Sequence, residues 1–397
     1  MTAFDSLSAR EHASSLAFPR LVGSPGEARA VRYIADRFRR SGLAVTEEPF
    51  GFSARPWSVL RFSLGLAAGT SLIAGWAVGR HPLLACLLSA LPLLLGLFST
   101  PLTLRLLSGA VRDDAEVSGG KGLGRSLNLV ARRPSDAAGE GPLVVLMAHY
   151  DSKGQGMSLP LRILLFLTFA VGGIGLFLRA VWKAAVMTGG IDPLAAGFGL
   201  LSAFSALAMV PMRADNRSPG AVDNASGVGV LLGLAEAIGG APGCLPGVEI
   251  LFVATGAEEV GLQGAFAFLK RHAEALKDRR QVCILNFDGP GVAGEVYASA
   301  KTGLRSRSRG LLRRIREAGV AEGVRVRAPA FVIGAMADHF PFVNAGIEAV
   351  TLAAFGRDSL AIHTPRDTPD RLDAEMMGRV GRIALGVIHR IEKGAPK

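Results

Sequence analysis

Five groups of acidic and imidazole side chains stand along the chain, and their types suit metal-dependent hydrolysis. They are His149 with Asp151, then Asp223, then Glu258 with Glu259, then Asp288, and last His363. Each group lies where a strand is predicted to end or a helix to begin. Together they supply carboxylates and two imidazoles for two adjacent divalent metals, and one further carboxylate to move protons. The set predicts a hydrolase that activates water between two metal ions.

The first group follows the apolar run 144–147, which is predicted to be a buried strand. Alternate positions beyond a strand end point the same way, so Asp151 can accept a hydrogen bond from the second ring nitrogen of His149. A metal-bound imidazole usually has such support. A hydrogen-bonded pair with a purely structural role is the other interpretation of this spacing.

The acidic residues differ in how specifically they indicate a metal site. Asp223 leads into a predicted helix, where it fits the N-cap as well as a carboxylate that bridges two cations. Glu258 and Glu259 directly follow a predicted buried strand, and two adjacent glutamates there are unfavourable without a cation nearby. One can bind the metal while the other takes a proton from water. Asp288 and His363 are each compatible with a structural role, but all five groups at strand ends together indicate a site.

The elements that must position these groups alternate between helices and strands. Apolar spacing predicts helices at 25–41, 227–238, 266–276, 311–318 and 374–391. Strands are predicted at 43–50, 127–132, 143–147, 248–254, 282–287 and 349–352. This order predicts an α/β fold, a three-layer sandwich around a mixed, mostly parallel sheet. Ligands of such sheets bind beyond the carboxyl ends of the strands, where the five groups lie.

The polar segments resemble the co-catalytic zinc exopeptidase family that contains aminopeptidase Y, bacterial leucyl aminopeptidases and glutamate carboxypeptidase. The motifs that carry the resemblance are Arg20-Leu-Val-Gly-Ser-Pro-Gly, His149-Tyr-Asp-Ser, 219–227, Glu258-Glu259, Asn286-Phe-Asp288, Ala337-Asp-His339-Phe-Pro-Phe and His363-Thr-Pro-Arg-Asp-Thr. They span nearly all of the chain outside the apolar stretches, in the family's order.

The resemblance implies a role for each matched position. His149 and Asp288 would hold one metal, Glu259 and His363 the other, and Asp223 would bridge the two. Glu258 would be the general base and acid, Asp151 would orient His149, and His339 would line the substrate pocket. The cofactors implied are two divalent ions, most suitably zinc, and the substrate is a peptide cleaved by metal-activated water, with removal of the N-terminal residue as the expected reaction.

Four apolar stretches predict that this chemistry is placed on a membrane. Hydrophobic residues make up 49% of the chain, charged residues only 19%, and mean hydropathy is +0.35. The stretches are 62–79, 82–104, 163–178 and 193–212, and they arrive as two hairpins with basic flanks. Buried helices of a soluble protein are the alternative. The predicted peptidase parts are 1–57, 108–160 and 213–397, interrupted by transmembrane hairpins at 58–107 and 161–212.

Charge predicts the sidedness and the partners. The net charge is +11, and basic residues flank both hairpins mainly on the domain side, so the peptidase domain is predicted to face the cytoplasm. The basic stretch 305–316 has no interleaved aromatic residues and no nucleic-acid motif. It is therefore predicted to be a solvated helix face near the lipid bilayer, and no nucleic acid is expected as a partner. Nothing in the sequence predicts an oligomeric state.

Three other functions compete with a membrane-bound aminopeptidase. A glutaminyl cyclase-like aminoacyltransferase would have the same fold with one metal, whereas the full set of ligand positions favours two. A non-catalytic scaffold would not need both the ligand and the base positions. A transporter is disfavoured because the apolar stretches carry almost no ionisable residues. The second hairpin directly follows Asp151, which suggests a membrane-associated peptide substrate, with simple tethering as the alternative.

Overall fold

The computed structural model describes residues 3–394 except 54, 114–122, 136–140, 187–188, 242, 303–304, 307 and 329–335. The helices are α1 (Ser6–Leu16), α2 (Pro25–Arg40), α3 (Arg55–Ala77), α4 (Pro82–Ser108), α5 (Leu159–Val186), α6 (Pro193–Met209), α7 (Ser226–Ile238), α8 (Gln263–Lys277), α9 (Arg309–Ala321), α10 (Phe340–Ala345) and α11 (Ala374–Lys393). The strands are β1 (Ala44–Ser53), β2 (Val111–Asp113), β3 (Leu123–Arg133), β4 (Leu143–His149), β5 (Gly154–Gln155), β6 (Ala214–Asp215), β7 (Glu249–Thr255), β8 (Val282–Phe287), β9 (Glu295–Ser299), β10 (Lys301–Thr302), β11 (Arg305–Ser306), β12 (Val326–Arg327) and β13 (Glu348–Phe355). Arg307, in the predicted basic stretch, lies outside the described residues.

The chain divides into two compact units. One consists of Met1–Ser53, Leu107–Gln155 and Ala214–Lys397, and the other of Ala54–Leu106 and Gly156–Arg213. The first unit contains the large sheet and the helices that pack on it. The second contains α3, most of α4, α5 and α6.

The first unit is built on a nine-stranded mixed sheet with strand order β12-β9-β13-β8-β4-β7-β3-β1-β2. The four central strands, β13, β8, β4 and β7, run parallel to one another. Of the eight neighbouring pairs, four are parallel and four antiparallel. The predicted mostly parallel sheet is therefore found only in the four central strands and in the edge pair β12–β9, because β3 runs against both of its neighbours, β2 against β1, and β9 against β13.

Helices cover both faces of the sheet, so the first unit has three layers. Alternate residues of β4 enter different cores: Val144 and Leu146 pack on one face, Val145 and Met147 on the other. The first core is closed by α1, α2, α7, α9 and α11, and the second by α8 and α10. Every residue of β4, β7 and β8 is buried, as expected for parallel strands covered on both sides.

All the helices and strands predicted for this unit are present, with bounds that differ by a few residues. The largest difference is in β1 and β3, which pair antiparallel over ten residues, from Ala44 with Arg132 to Ser53 with Leu123. Their outer ends carry few apolar residues, so alternation did not reveal them. The helices α1 and α10 were not predicted, nor were the strands β2, β5, β6, β9, β10, β11 and β12. All but α1 are short, and β9 shows burial at only two of its five positions.

The helical unit has mainly small and polar side chains inside, with exceptions such as Leu176, and many large apolar ones outside. Ser71 Oγ lies 3.0 Å from Ser202 Oγ, and a Cβ on Gly172 would lie 2.7 Å from the backbone nitrogen of Ser202. Such small residues let helix backbones approach closely within a bilayer. Phe62 and Phe204, in contrast, are 72% and 69% exposed. A water-soluble bundle has the opposite arrangement.

Among the residues that the structure describes, three helical segments could cross a membrane by length and composition: Ser58–Ala77, Leu159–Val186 and Ala221–Ile238. The first two fall on predicted spans. The third belongs to the α/β unit, where 83% of its apolar window is buried, so it is a core helix. The described apolar parts of the other two predicted spans, Pro82–Leu94 and Pro193–Met209, are shorter than 18 residues.

Candidate metal centre

One group of donor atoms surrounds His149, at the carboxyl end of β4 in the middle of the parallel strands. His149 Nε2 lies 3.2 Å from Asp223 Oδ1 and 3.8 Å from Asp288 Oδ1. Asp288 directly follows β8, the neighbour of β4 in the sheet. Because parallel strands end at one edge of a sheet, side chains far apart in sequence meet there.

A second group surrounds His363, in a turn just after the short 3-10 helix Arg357–Ala361, which follows β13. His363 Nε2 lies 3.0 Å from Asp223 Oδ2 and 3.2 Å from Glu259 Oε1. Glu259 comes from the loop after β7, on the other side of β4 from β8. The two carboxylate oxygens of Asp223 thus face different groups, one towards His149 and the other towards His363.

The chemistry of these donors fits a pair of divalent cations that share Asp223. Within each group, the nitrogen and oxygen atoms lie within 4.8 Å of one another. Glu259 Oε1 is buried, and although His363 Nε2 lies 3.2 Å away, this oxygen makes no well-aligned hydrogen bond within the described residues. A buried acceptor usually has a partner, so this oxygen suits a cation. Imidazole nitrogen and carboxylate oxygen are ligands that zinc prefers.

The carboxylate of Asp151 fixes the glutamate loop to the loop that follows β4. Its Oδ1 accepts the backbone N–H of Glu258 and its Oδ2 that of Glu259, both at 3.1 Å. The expected support of His149 therefore takes another form. His149 Nδ1 is hydrogen-bonded to the main-chain oxygen of Asp151 at 3.2 Å, and the carboxylate oxygen Oδ1 lies farther away, at 3.5 Å.

Two further side chains hold Asp223 against its neighbours. Asn224 Oδ1 accepts the backbone N–H of Gly289 at 3.0 Å, and its Nδ2 donates to the oxygen of Phe287 at 2.8 Å, which ties this loop to the end of β8. Asp367 Oδ1 accepts the N–H of Val222 at 2.7 Å, and its Oδ2 accepts that of Asp223 at 3.2 Å. Asp223 is therefore held by the loops that carry Asp288 and His363, rather than acting as the simple N-cap of α7.

The backbone is strained at two of the loops that carry the donor atoms. His363 has φ +63° and Ala257, which precedes Glu258, has φ +56°. Non-glycine residues in this region cost about 1 kcal/mol or more, and such strain clusters at functional sites. Gly220, with φ +60°, is different because a Cβ there would lie 2.5 Å from the oxygen of Asp223. Only glycine fits at that position.

The site concentrates negative charge in a buried place. Burial opposes a charge on His149, but the carboxylates of Glu258, Asp151, Asp223 and Asp288 raise its pKa well above the ordinary value. Burial likewise opposes ionisation of Asp223, while both imidazoles hold its pKa well below the usual range. Within the described residues, the two imidazoles thus offset part of the negative charge of the carboxylates. Bound cations would offset the same charge.

Glu258 differs from the other acidic residues of the site. Burial, together with the carboxylates of Glu259, Asp338 and Asp288, raises its pKa well above the ordinary value, against the attraction of His149. Its Oε2 lies 3.9 Å from His149 Nε2, so the carboxylate faces the centre without joining either donor group. A carboxylate with a raised pKa at the edge of the site is suited to accept and return a proton.

Lys153 and Asp338 also belong to the site, and the sequence predicted a role there for neither of them. Lys153 Nζ lies 2.7 Å from Glu259 Oε2; the sequence suggested only a membrane-flanking charge there. Burial opposes its charge, but Glu259 and Glu258 raise its pKa above the ordinary value. Asp338 donates to no described residue and accepts a hydrogen bond from Thr255; burial raises its pKa to about 7.

His339 is buried at 1% exposure, and its Nδ1 lies 2.6 Å from Thr351 Oγ1. That hydroxyl also accepts a hydrogen bond from Asn286 at 2.9 Å. The residue is therefore held in the interior against Thr351 of β13, and its contact with substrate stays a prediction.

Arg20 joins the loops on which the donor groups stand. It is fully buried, and its guanidinium donates to main-chain oxygens, among them those of Tyr150 at 2.5 Å, Pro219 at 2.5 Å and Gly220 at 2.8 Å. Burial lowers its pKa to about 10. The motif that begins at Arg20 was recognised in the sequence, but this role was not, because nothing in the local sequence shows that an arginine is buried.

The chain resembles known aminopeptidases. The sequence profile of Peptidase family M28 matches residues 128–388. Aminopeptidase YwaD of Bacillus subtilis (strain 168) is 29% identical over 188 residues, which are 45% of this chain and 39% of that protein. The alignment therefore spans well under half of this relative's length.

Two solved structures illustrate the likeness of fold. BSAP, a zinc aminopeptidase from Bacillus subtilis, is 17% identical, with a TM-score of 0.58 over 100% of this chain and 96% of that one. A glutaminyl cyclase from an Acidobacteriales bacterium is also 17% identical, with a TM-score of 0.55 over 98% of this chain and 96% of that one. At these identities the likeness extends to the fold alone.

Proposed function

The chain belongs to peptidase family M28, and from this membership and the site geometry we propose that it is a membrane-bound dinuclear zinc aminopeptidase. One observation carries the proposal: two groups of donor atoms share Asp223 at the carboxyl edge of the parallel strands. A glutaminyl cyclase-like activity with one metal would not need the second group. The substrate expected for a peptidase of this kind is a peptide.

Five residues would hold the two metals. His149 and Asp288 would bind one ion, Glu259 and His363 the other, and Asp223 both, as its two oxygens face the two groups. Bound zinc would act as a Lewis acid, polarising the scissile carbonyl and lowering the pKa of the attacking water. The loops fixed by Asp151, Asn224 and Asp367 would keep the ligands in place.

Glu258 would move the proton during hydrolysis. Its carboxylate takes a proton as the water oxygen bonds to the carbonyl carbon of the substrate. When the C–N bond breaks, Glu258 gives this proton to the leaving amine and is again a carboxylate. Its raised pKa favours the proton-accepting step, and its position outside both donor groups leaves its oxygens available.

We further propose that α3, α4, α5 and α6 are embedded in the bilayer as two hairpins, at 58–107 and 161–212. The support is the inside-out composition of the helical unit, with serines and glycines within and residues such as Phe62 and Phe204 exposed. The peptidase parts, 1–57, 108–160 and 213–397, would then lie together on one side. The bias of basic residues favours the cytoplasmic side.

The activity is tested with purified full-length protein and two substrates, an aminoacyl-anilide and a peptide with N-terminal glutamine. We expect release of the aromatic amine and of free glutamine, both abolished by a zinc chelator and restored by added zinc. Cyclisation of the glutamine peptide with loss of ammonia, without release of a residue, would instead indicate an aminoacyltransferase. No reaction after zinc loading would count against an enzymatic function.

The membrane proposal predicts how the expressed protein partitions. Because each hairpin would bury apolar helices in lipid, we expect the protein to stay with the membrane pellet after washing at high salt and at alkaline pH, and to be released by detergent. A variant in which short loops replace both hairpins should be found in the supernatant. Release of the wild-type protein by salt or alkali would contradict the proposal.

A further inference from the structure

Lys153 places a positive charge beside only one of the two donor groups. Its Nζ lies 2.7 Å from Glu259 Oε2 and donates to the main-chain oxygen of the same residue at 3.3 Å. The side chain is only 16% exposed, so solvent screens this charge weakly. Lys153 lies four residues after His149, so the loop that follows this residue of one group places a cation beside the other group.

The two groups differ in charge for this reason. In the group of Asp223, Glu259 and His363, Lys153 neutralises one of the two carboxylates and occupies one of its oxygens. Only Glu259 Oε1 then faces His363. In the part of the chain that is described, no lysine or arginine forms an ion pair with Asp223 or Asp288. The two groups differ in exposure as well: the side chain of Asp288 is 23% exposed to solvent, whereas that of Glu259 is 3% exposed.

We propose that Lys153 makes the two metal sites unequal, so that the site of Glu259 and His363 binds zinc more weakly and fills second. A nearby cation repels a divalent ion, and a carboxylate that is already paired attracts it less. The inference rests on the proposed dinuclear centre. It adds that the protein holds one ion, beside His149 and Asp288, when metal is scarce. The second ion joins only at higher metal concentration, so metal supply controls how much of the centre is complete.

The experiment titrates the metal-free, full-length protein in detergent with zinc. Binding is measured by calorimetry and by mass spectrometry under native conditions. For the wild type we expect two binding steps whose Kd values differ by about tenfold or more. In Lys153→Met the second step should tighten by about tenfold, with the first changed by less than about threefold. Lys153→Arg keeps the charge and should keep the weak second step. Lys277→Met, at a residue whose side chain is 72% exposed, is the matched control and should leave both steps unchanged.

Each outcome decides between the alternatives. Two wild-type steps of equal affinity would overturn the inference without any variant, while leaving the dinuclear centre intact. A second step weakened in Lys153→Met would also overturn it, and would show that the ion pair serves to position Glu259. One ion bound in both the wild type and Lys153→Met would refute the inference together with the dinuclear centre. One ion in the wild type and two in Lys153→Met would support it.

Discussion

Replacing Glu258 with glutamine is expected to lower aminopeptidase turnover by about 10³-fold while both metals stay bound. The amide has the shape of the carboxylate but cannot accept the proton of the attacking water. Metal binding should survive because Glu258 belongs to neither donor group. The backbone N–H of Glu258, which Asp151 holds at 3.1 Å, is also unaffected by the substitution. The measurement is aminoacyl-anilide turnover and zinc content of the same purified samples.

The matched control is Glu274→Gln, because the Glu274 side chain is 88% exposed and lies in the same α/β unit. It should keep wild-type turnover and wild-type zinc content. Loss of zinc from Glu258→Gln would mean that Glu258 is a ligand, and full turnover would remove it from the mechanism.

Replacing Asp223 with asparagine is expected to impair both metal sites at once. Asp223 Oδ1 lies 3.2 Å from His149 and Oδ2 lies 3.0 Å from His363, so one substitution reaches both groups. An amide offers one neutral oxygen in place of two charged ones, and we expect zinc affinity to fall by more than about 100-fold. Turnover at micromolar zinc should be abolished.

Thermal unfolding provides a second measurement of zinc binding by the Asp223→Asn variant. A ligand that binds only the folded state stabilises it, by about 2.7 kcal/mol at one hundred times its Kd. Zinc should therefore raise the Tm of the wild type and leave that of Asp223→Asn unchanged. Asp278→Asn, at an exposed position just after α8, is the control and should respond to zinc like the wild type. A wild-type response in Asp223→Asn would exclude a shared ligand.

The sequence allowed the core of the fold to be predicted because parallel strands and amphipathic helices have distinct apolar patterns. The strand Val282–Phe287 was predicted with its observed bounds, since every one of its residues is buried. The extent of β1 and β3 was not predictable, because Gly51, Ser53, Gly124 and Arg125 interrupt the apolar alternation, and the burial of Phe52 against Phe50 and Ala257 comes from distant segments. The direction of β9 against β13 depends on tertiary pairing and has no local signal.

The candidate site was predictable as far as it consists of side chains at strand ends. The structure brings His149, Asp223, Glu259, Asp288 and His363 into two groups, whereas their roles as ligands stay predictions. The residues that hold the loops were harder to recognise. Arginine and lysine side chains usually lie in solvent, and only the packing of distant segments shows that Arg20 is buried and that the Lys153 side chain is just 16% exposed.

The most direct test of the central claim is an anomalous diffraction map of zinc-loaded crystals, recorded at the zinc absorption edge. We predict two peaks, roughly 3.5–4 Å apart, that both contact Asp223. One should also contact His149 and Asp288, and the other Glu259 and His363. A single peak, or peaks away from Asp223, would contradict the account.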